Sequence, residues 1–227
     1  MTLNKQIGIT FVVLIVSIIF FGLNDSIDTS IEDLFYNFQQ HHFILDSDLQ
    51  PYRFIFYDGI KKLLIIFALI VLFVLIKFWK SKKIKIYKKG LIVILLSVVF
   101  IPLTVSFLKD ITNMPCPEDE LHYGGDYIKT AVWECYSDDF QLKNDRIKCW
   151  PAGHASGGFA LMSLFFLFKR KRNRYIALGT SLVIAWSMGI YKMLIGDHFF
   201  SHTVITMVLA WFIILLIVKL VNKFSRD

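Results

Sequence analysis

Gly196-Asp197-His198-Phe199-Phe200-Ser201-His202 lies between two long apolar runs of the chain. It sets two histidines four residues apart, just over one helical turn. A helix would carry both imidazoles on one face. Ionisable groups at the mouth of a membrane span are costly, and they are more often functional than structural. A third histidine, His154, stands in Pro151-Ala152-Gly153-His154 at the edge of another apolar run.

The runs themselves decide the fold class. The chain has 227 residues, 56% of them hydrophobic, and these cluster instead of alternating at helix or strand periods. Their lengths match the roughly 17–25 residues of a bilayer-crossing helix. The sequence predicts an all-α, six-span transmembrane bundle, a single domain over residues 1–227. The spans fall at about 7–23, 62–79, 91–108, 153–168, 175–195 and 202–218. A cleaved signal peptide competes for the first run, but no small-x-small pattern follows it, which favours a retained span. In residues 24–59, Ile31, Leu34, Phe35 and Phe38 recur at helical spacing and predict an amphipathic helix on the membrane or bundle surface. Pro51 interrupts any longer helix.

Charge orients the bundle. Lys80, Lys82, Lys83, Lys85, Lys88 and Lys89 follow the second run. Lys169 to Arg174 follow the fourth, and Lys219, Lys223 and Arg226 the sixth. Acidic stretches follow the first and third. Lys/Arg-rich loops stay cytoplasmic, so both termini are expected there. The net charge of +7 is then a topology signal and does not imply nucleic acid. Lys109, His154, Lys192, His198 and His202 all land at the opposite, non-cytoplasmic ends of the spans. They are far apart in sequence and close in depth.

That residue set suits a phosphate ester. Its dispersed negative charge needs cations and N–H donors. A leaving alkoxide needs a general acid, and an imidazole can be the nucleophile. Lys109 and Lys192 supply the cations. Gly153 lets backbone approach a ligand at a helix start. His154 and His198 can divide the acid and nucleophile roles, and His202 could orient His198.

The three segments resemble the signature of the type 2 phosphatidic acid phosphatase family, which includes bacterial membrane lipid phosphatases and the vanadium haloperoxidases. The family reads Lys, six residues, Arg-Pro; here Lys109 precedes Cys116-Pro117 by the same spacing. It reads Pro-Ser-Gly-His; here Pro151-Ala152-Gly153-His154. It reads Ser-Arg, five residues, His, three residues, Asp; here Tyr191-Lys192, then His198, then His202. The resemblance covers about residues 60–218. It implies that His198 becomes phosphohistidine, that His154 protonates the leaving oxygen, and that Lys109, Lys192 and the Ala152-Gly153 segment hold the phosphate. It implies no metal and no other cofactor. Cys116 and Lys192 each lack the arginine's bidentate fork. Ala152 lacks a hydroxyl, and His202 lacks the carboxylate charge of the orienting Asp.

Other readings stay open. His198 and His202 at i, i+4 suit zinc, with His154 or His122 as a third ligand, although two nearby ammonium groups repel a cation. Cys116, Cys135 and Cys149 share one predicted loop and allow one disulfide plus one free thiol. Cys116–Cys149 would tie the first motif to the second, and Cys135 could replace either. Asp197 is a helix-start residue or a partner of the site. The Tyr123-Gly124-Gly125-Asp126 segment predicts a turn. The expected function is an inner-membrane lipid phosphatase acting at the periplasmic face on a membrane lipid in the bilayer. By analogy with related short bacterial phosphatases the leading substrate is lipid A at its 1- or 4′-phosphate, with undecaprenyl diphosphate and phosphatidylglycerol phosphate as alternatives. The rival from another class is a transporter or binder of phospholipid headgroups. Oligomeric state is not encoded in any of these features.

Overall fold

Runs of apolar residues satisfy their backbone groups within themselves by becoming helices. A computed structural model describes residues 1–137 and 147–224, apart from the side chain of Lys83. Residues 138–146 of the long polar loop, and Arg226 of the last basic cluster, lie outside the described residues. The helices are α1 (Leu3–Leu23), α2 (Asp25–Glu32), α3 (Ile60–Lys77), α4 (Lys82–Ile111), α5 (Gly153–Ala160), α6 (Lys171–Leu194) and α7 (Phe200–Phe224). A π-helical stretch, Phe54–Gly59, leads into α3.

Among the described residues, five helices are long and apolar enough to cross a membrane: Leu3–Leu23, Phe54–Lys77, Ile84–Ile111, Lys171–Leu194 and Phe200–Phe224. The expected spans at 62–79, 91–108, 175–195 and 202–218 therefore have different ends. The second starts earlier, just after Pro51, where proline's fixed φ suits a helix start. The third takes in part of the lysine cluster, since lysine is a good helix former.

The expected span at 153–168 differs most. It is α-helical for eight residues and then 3₁₀ from Leu161 to Phe166. Ser156 and Ser163 each donate to the carbonyl three residues back, which favours tight turns. The segment is the centre of the bundle, with Ala155, Phe159 and Ala160 almost fully buried against Ile101, Ala185 and Ile214. A Cβ on Gly158 would come 2.7 Å from the Ala185 Cα, so α5 and α6 meet backbone to backbone. By contrast α1 and α3 leave most of their apolar side chains, such as Leu69 and Phe73, on the outside.

The amphipathic helix expected over residues 31–38 ends early. α2 stops at Glu32, a 3₁₀ turn spans Asp33–Phe35, and Tyr36–Asn37 pairs antiparallel with His42–Phe43. Aromatic packing overrides the helical spacing here. Tyr36 is buried among Phe38, Phe43 and Tyr123, and its hydroxyl donates to the Tyr123 carbonyl at 2.8 Å. Gly124, at φ 90°, forms the turn predicted at 123–126.

Carboxylates anchor this N-terminal segment. Asp28 accepts the Ser201 N–H at 2.8 Å and its hydroxyl, capping α7. Glu32 is fully buried and both its oxygens have no hydrogen-bond partner among the described residues. Burial first, then the charges of Asp28, Glu120 and Asp33, push its carboxyl up from 4.5 to about 9. An acid so shifted stabilises the fold fully below pH 4.5, and that contribution is lost as pH rises through about 9. The segment should thus dock less tightly toward alkaline pH. Hydrogen exchange over residues 24–45 between pH 6 and 9.5 checks this. Exchange should accelerate with pH beyond its intrinsic dependence, and Glu32→Gln should flatten the excess.

Candidate active site

Each of the three motif segments ends a helix, begins one, or turns between two. Lys109 is in the last turn of α4, and Gly153 opens α5 with His154 next. Lys192 is in the last turn of α6, and Gly196 to Phe199 lead into α7. Backbone and side-chain bonds lock them together. Thr112 donates to the Trp150 carbonyl, Glu118 N–H to that of Gly196, and Ala152 N–H to Thr206 Oγ1. Cys116 and Cys149 form a disulfide, while Cys135 is exposed and free.

The site follows from these ties. A Cβ on Gly153 would lie 3.4 Å from Lys109 Nζ, so the ammonium rests over the glycine that opens α5. The first N–H groups of a helix have no partners within it and favour anions. The His154 ring lies 4.3 Å from that of Tyr57, and Lys192 Nζ sits 4.5 Å over the same tyrosine. Lys192 also pairs with Asp197, which makes Asp197 a partner of the site. Gly196 is required twice over. Its φ is 78°, and a Cβ there would overlap the Phe43 ring.

His198 is 3% exposed. It precedes α7, which starts at Phe200, so the two histidines do not share a helical face as expected. The His198 and His202 rings are 5.7 Å apart and edge-on. His202 is fully buried, and neither of its nitrogens has a hydrogen-bond partner among the described residues. His198 Nδ1 instead faces Cys149 Sγ at 3.2 Å. Burial, followed by the charges of Lys109, His202, His154 and Lys192, holds the His198 imidazole well below its usual pKa. It is therefore neutral, the form with a lone pair for attack.

Of the residues expected to bind phosphate, Lys109, Gly153 and Lys192 reach the site. Ala152 is fully buried and its N–H is committed to Thr206. His122 bonds Asp33 at 2.9 Å and packs edge-on against Tyr123. Cys116, Cys149 and His198 bring three metal-type donor atoms within 4.8 Å, but the sulfurs are bonded to each other and offer no thiolates.

The sequence reading missed Tyr57 and Arg53. Both line a polar pocket of about 270 Å³ with Ser47, Asp48, Lys192 and Asp197. No spacing rule links them to the motifs, because they reach the site only through the π-helical entry to α3.

A family model described as PAP2 superfamily matches residues 89–226, more than half of the chain. The chain belongs to the PAP2 superfamily. Comparison with curated proteins and with solved structures gave no match. As a PAP2 member it is a phosphatase of that family, a phosphoric ester hydrolase, and the five long apolar helices among the described residues fit a multi-pass membrane protein. All three motif segments of this PAP2 protein lie inside the matched region. Asp28, Arg53 and Tyr57 come from outside it.

Proposed function

We propose that the protein is an inner-membrane lipid phosphatase that works through a phosphohistidine at His198. The observation that carries this is the convergence of Lys109, His154, Lys192 and a buried His198 at one end of the bundle, the end opposite the Lys/Arg clusters. Basic clusters mark the cytoplasmic side, so the site faces the periplasm. Lys109 and the Gly153 N–H hold the phosphoryl oxygens, joined by Lys192 when it turns from Asp197. Burial, then the charges of Lys192, Lys109 and Lys61, lower the His154 imidazole to about 3, and a phosphate dianion bound beside it reverses that push and charges the ring. The His198 nitrogen attacks phosphorus as the P–O bond to the lipid breaks, and His154 gives the departing oxygen that proton. Water then attacks phosphorus, gives its proton to the now neutral His154, and frees the imidazole.

Lipid A, at its 1- or 4′-phosphate, is the leading substrate by analogy within the family. Undecaprenyl diphosphate and phosphatidylglycerol phosphate are the alternatives. Phosphate release from these three by purified protein tests the assignment. Release from none of them, with headgroup binding retained, would favour the transporter or binder reading.

The pocket beside Lys192 receives the polar part of the lipid next to the scissile phosphate. Arg53 brings a guanidinium there, in a chain whose first motif carries Cys116 instead of arginine. A hydrogen bond to a charged group contributes about 1.5–3 kcal/mol, so Arg53→Ala should raise KM by roughly tenfold or more with kcat nearly kept. Steady-state kinetics on the preferred lipid checks this, and an unchanged KM would remove Arg53 from the substrate site.

A further inference from the structure

We propose that the Cys116–Cys149 disulfide positions His198: Cys149 Sγ accepts the Nδ1–H, which leaves the lone pair on Nε2 to attack phosphorus. This rests on the phosphohistidine reading above. It assigns Cys149 a part beyond tying two motifs together.

A histidine nucleophile needs one ring nitrogen held so that the other is free. The residue at the family's orienting position, His202, makes no hydrogen bond to His198, and their rings stand 5.7 Å apart. The carboxylate of Asp197 is engaged by Lys192. The atom that does face His198 Nδ1 is Cys149 Sγ, at 3.2 Å, in a residue with no exposed surface. A disulfide sulfur carries no hydrogen. It can only accept, so the contact selects the Nδ1–H tautomer. Burial removes the water that would compete with so weak an acceptor.

The chemistry balances. Nε2 forms the N–P bond while the P–O bond to the lipid breaks and His154 supplies the proton to that oxygen. The ring becomes cationic, Nδ1 keeps its proton, and its bond to sulfur strengthens. In hydrolysis water attacks phosphorus and gives its proton to the now neutral His154, the N–P bond breaks, and the neutral Nδ1–H ring returns.

Reduction inverts the arrangement. A dithiol reagent transfers two electrons and two protons, becomes a cyclic disulfide, and leaves Cys116–SH and Cys149–SH. The Cys149 S–H has two acceptors, the Asp197 carbonyl at 2.8 Å and His198 Nδ1 at 3.2 Å, and the ring nitrogen, the stronger base, takes the hydrogen bond or the proton itself, the latter giving an imidazolium–thiolate pair. Either way Nε2 carries a proton and cannot attack. In Ser-His-Asp enzymes the wrong tautomer costs on the order of 10⁴ in kcat.

Two measurements on the full chain in detergent decide it. Histidine ¹⁵N spectra, with the His198 signal assigned by its loss in His198→Asn, should show Nδ1–H in the oxidised protein. An Nε2–H signal there would overturn the proposal. Phosphohistidine trapping is then compared in oxidised wild type, dithiol-reduced wild type, Cys116→Ala, and Cys116→Ala with Cys149→Ala. Reduced wild type and Cys116→Ala, which keep a thiol against the ring, should form phosphohistidine at least about tenfold more slowly. The double variant has no thiol to donate and should recover several-fold over Cys116→Ala. Equal loss in all three would make the disulfide a tie only, and no loss in any would also overturn the proposal. If oxidised wild type traps no phosphohistidine at all, the mechanism above fails instead, and the tautomer still decides the contact.

Discussion

Replacing His198 by asparagine should abolish both phosphate release and the acid-labile phosphoenzyme. Removing a nucleophile that acts as a unit with its acid costs many orders of magnitude, here on the order of 10⁴ or more in kcat. The effect is large because the site has no substitute. His202 lies behind His198 in full burial, and His154 is placed against Tyr57 for another task. Asparagine suits the test because it is polar and smaller than the imidazole it replaces at a buried site. Quench-trapping of radiolabelled phosphate from the preferred lipid, with thermal unfolding as the control for folding, gives the answer. Wild-type rates of release in His198→Asn would end the assignment of the nucleophile.

His154→Asn should behave differently, and the difference identifies the acid. Loss of a general acid typically costs 10²–10⁴-fold, so lipid turnover should fall by about that much. The deficit depends on how badly the leaving oxygen needs a proton. An aryl phosphate departs as a stabilised phenolate, so on it the variant should approach wild type. Trapped phosphohistidine should still form from the aryl substrate. If His154→Asn loses the aryl and lipid activities equally, His154 is not the acid, and its contact with Tyr57 serves the shape of the site instead.

The helices were legible because a long apolar run has few alternatives. The site was legible because three spaced motifs put ionisable groups at one depth. What escaped notice depends on tertiary contact. The 153–168 segment has the composition of a span, yet back-bonding Ser156 and Ser163 shorten it into an inner element. The aromatic residues around Tyr36 have helical spacing, but their partners Phe43 and Tyr123 lie elsewhere in the chain. The four-residue interval from His198 to His202 suggested one helical face, while Gly196 turns the chain so that only the second histidine enters α7. Three cysteines allow three pairings, and only the fold selects Cys116 with Cys149.

Asp28 stands outside the matched region, yet it caps the helix that follows the nucleophile. The shared core of the superfamily is consequently not a self-sufficient module in this chain. Its last helix begins on a carboxylate lent by α2, and its polar pocket is walled by the approach to α3. Sequence change in the first sixty residues can therefore retune turnover and selectivity while every motif stays intact, which makes that stretch a place for relatives to diverge in substrate without touching the reacting groups.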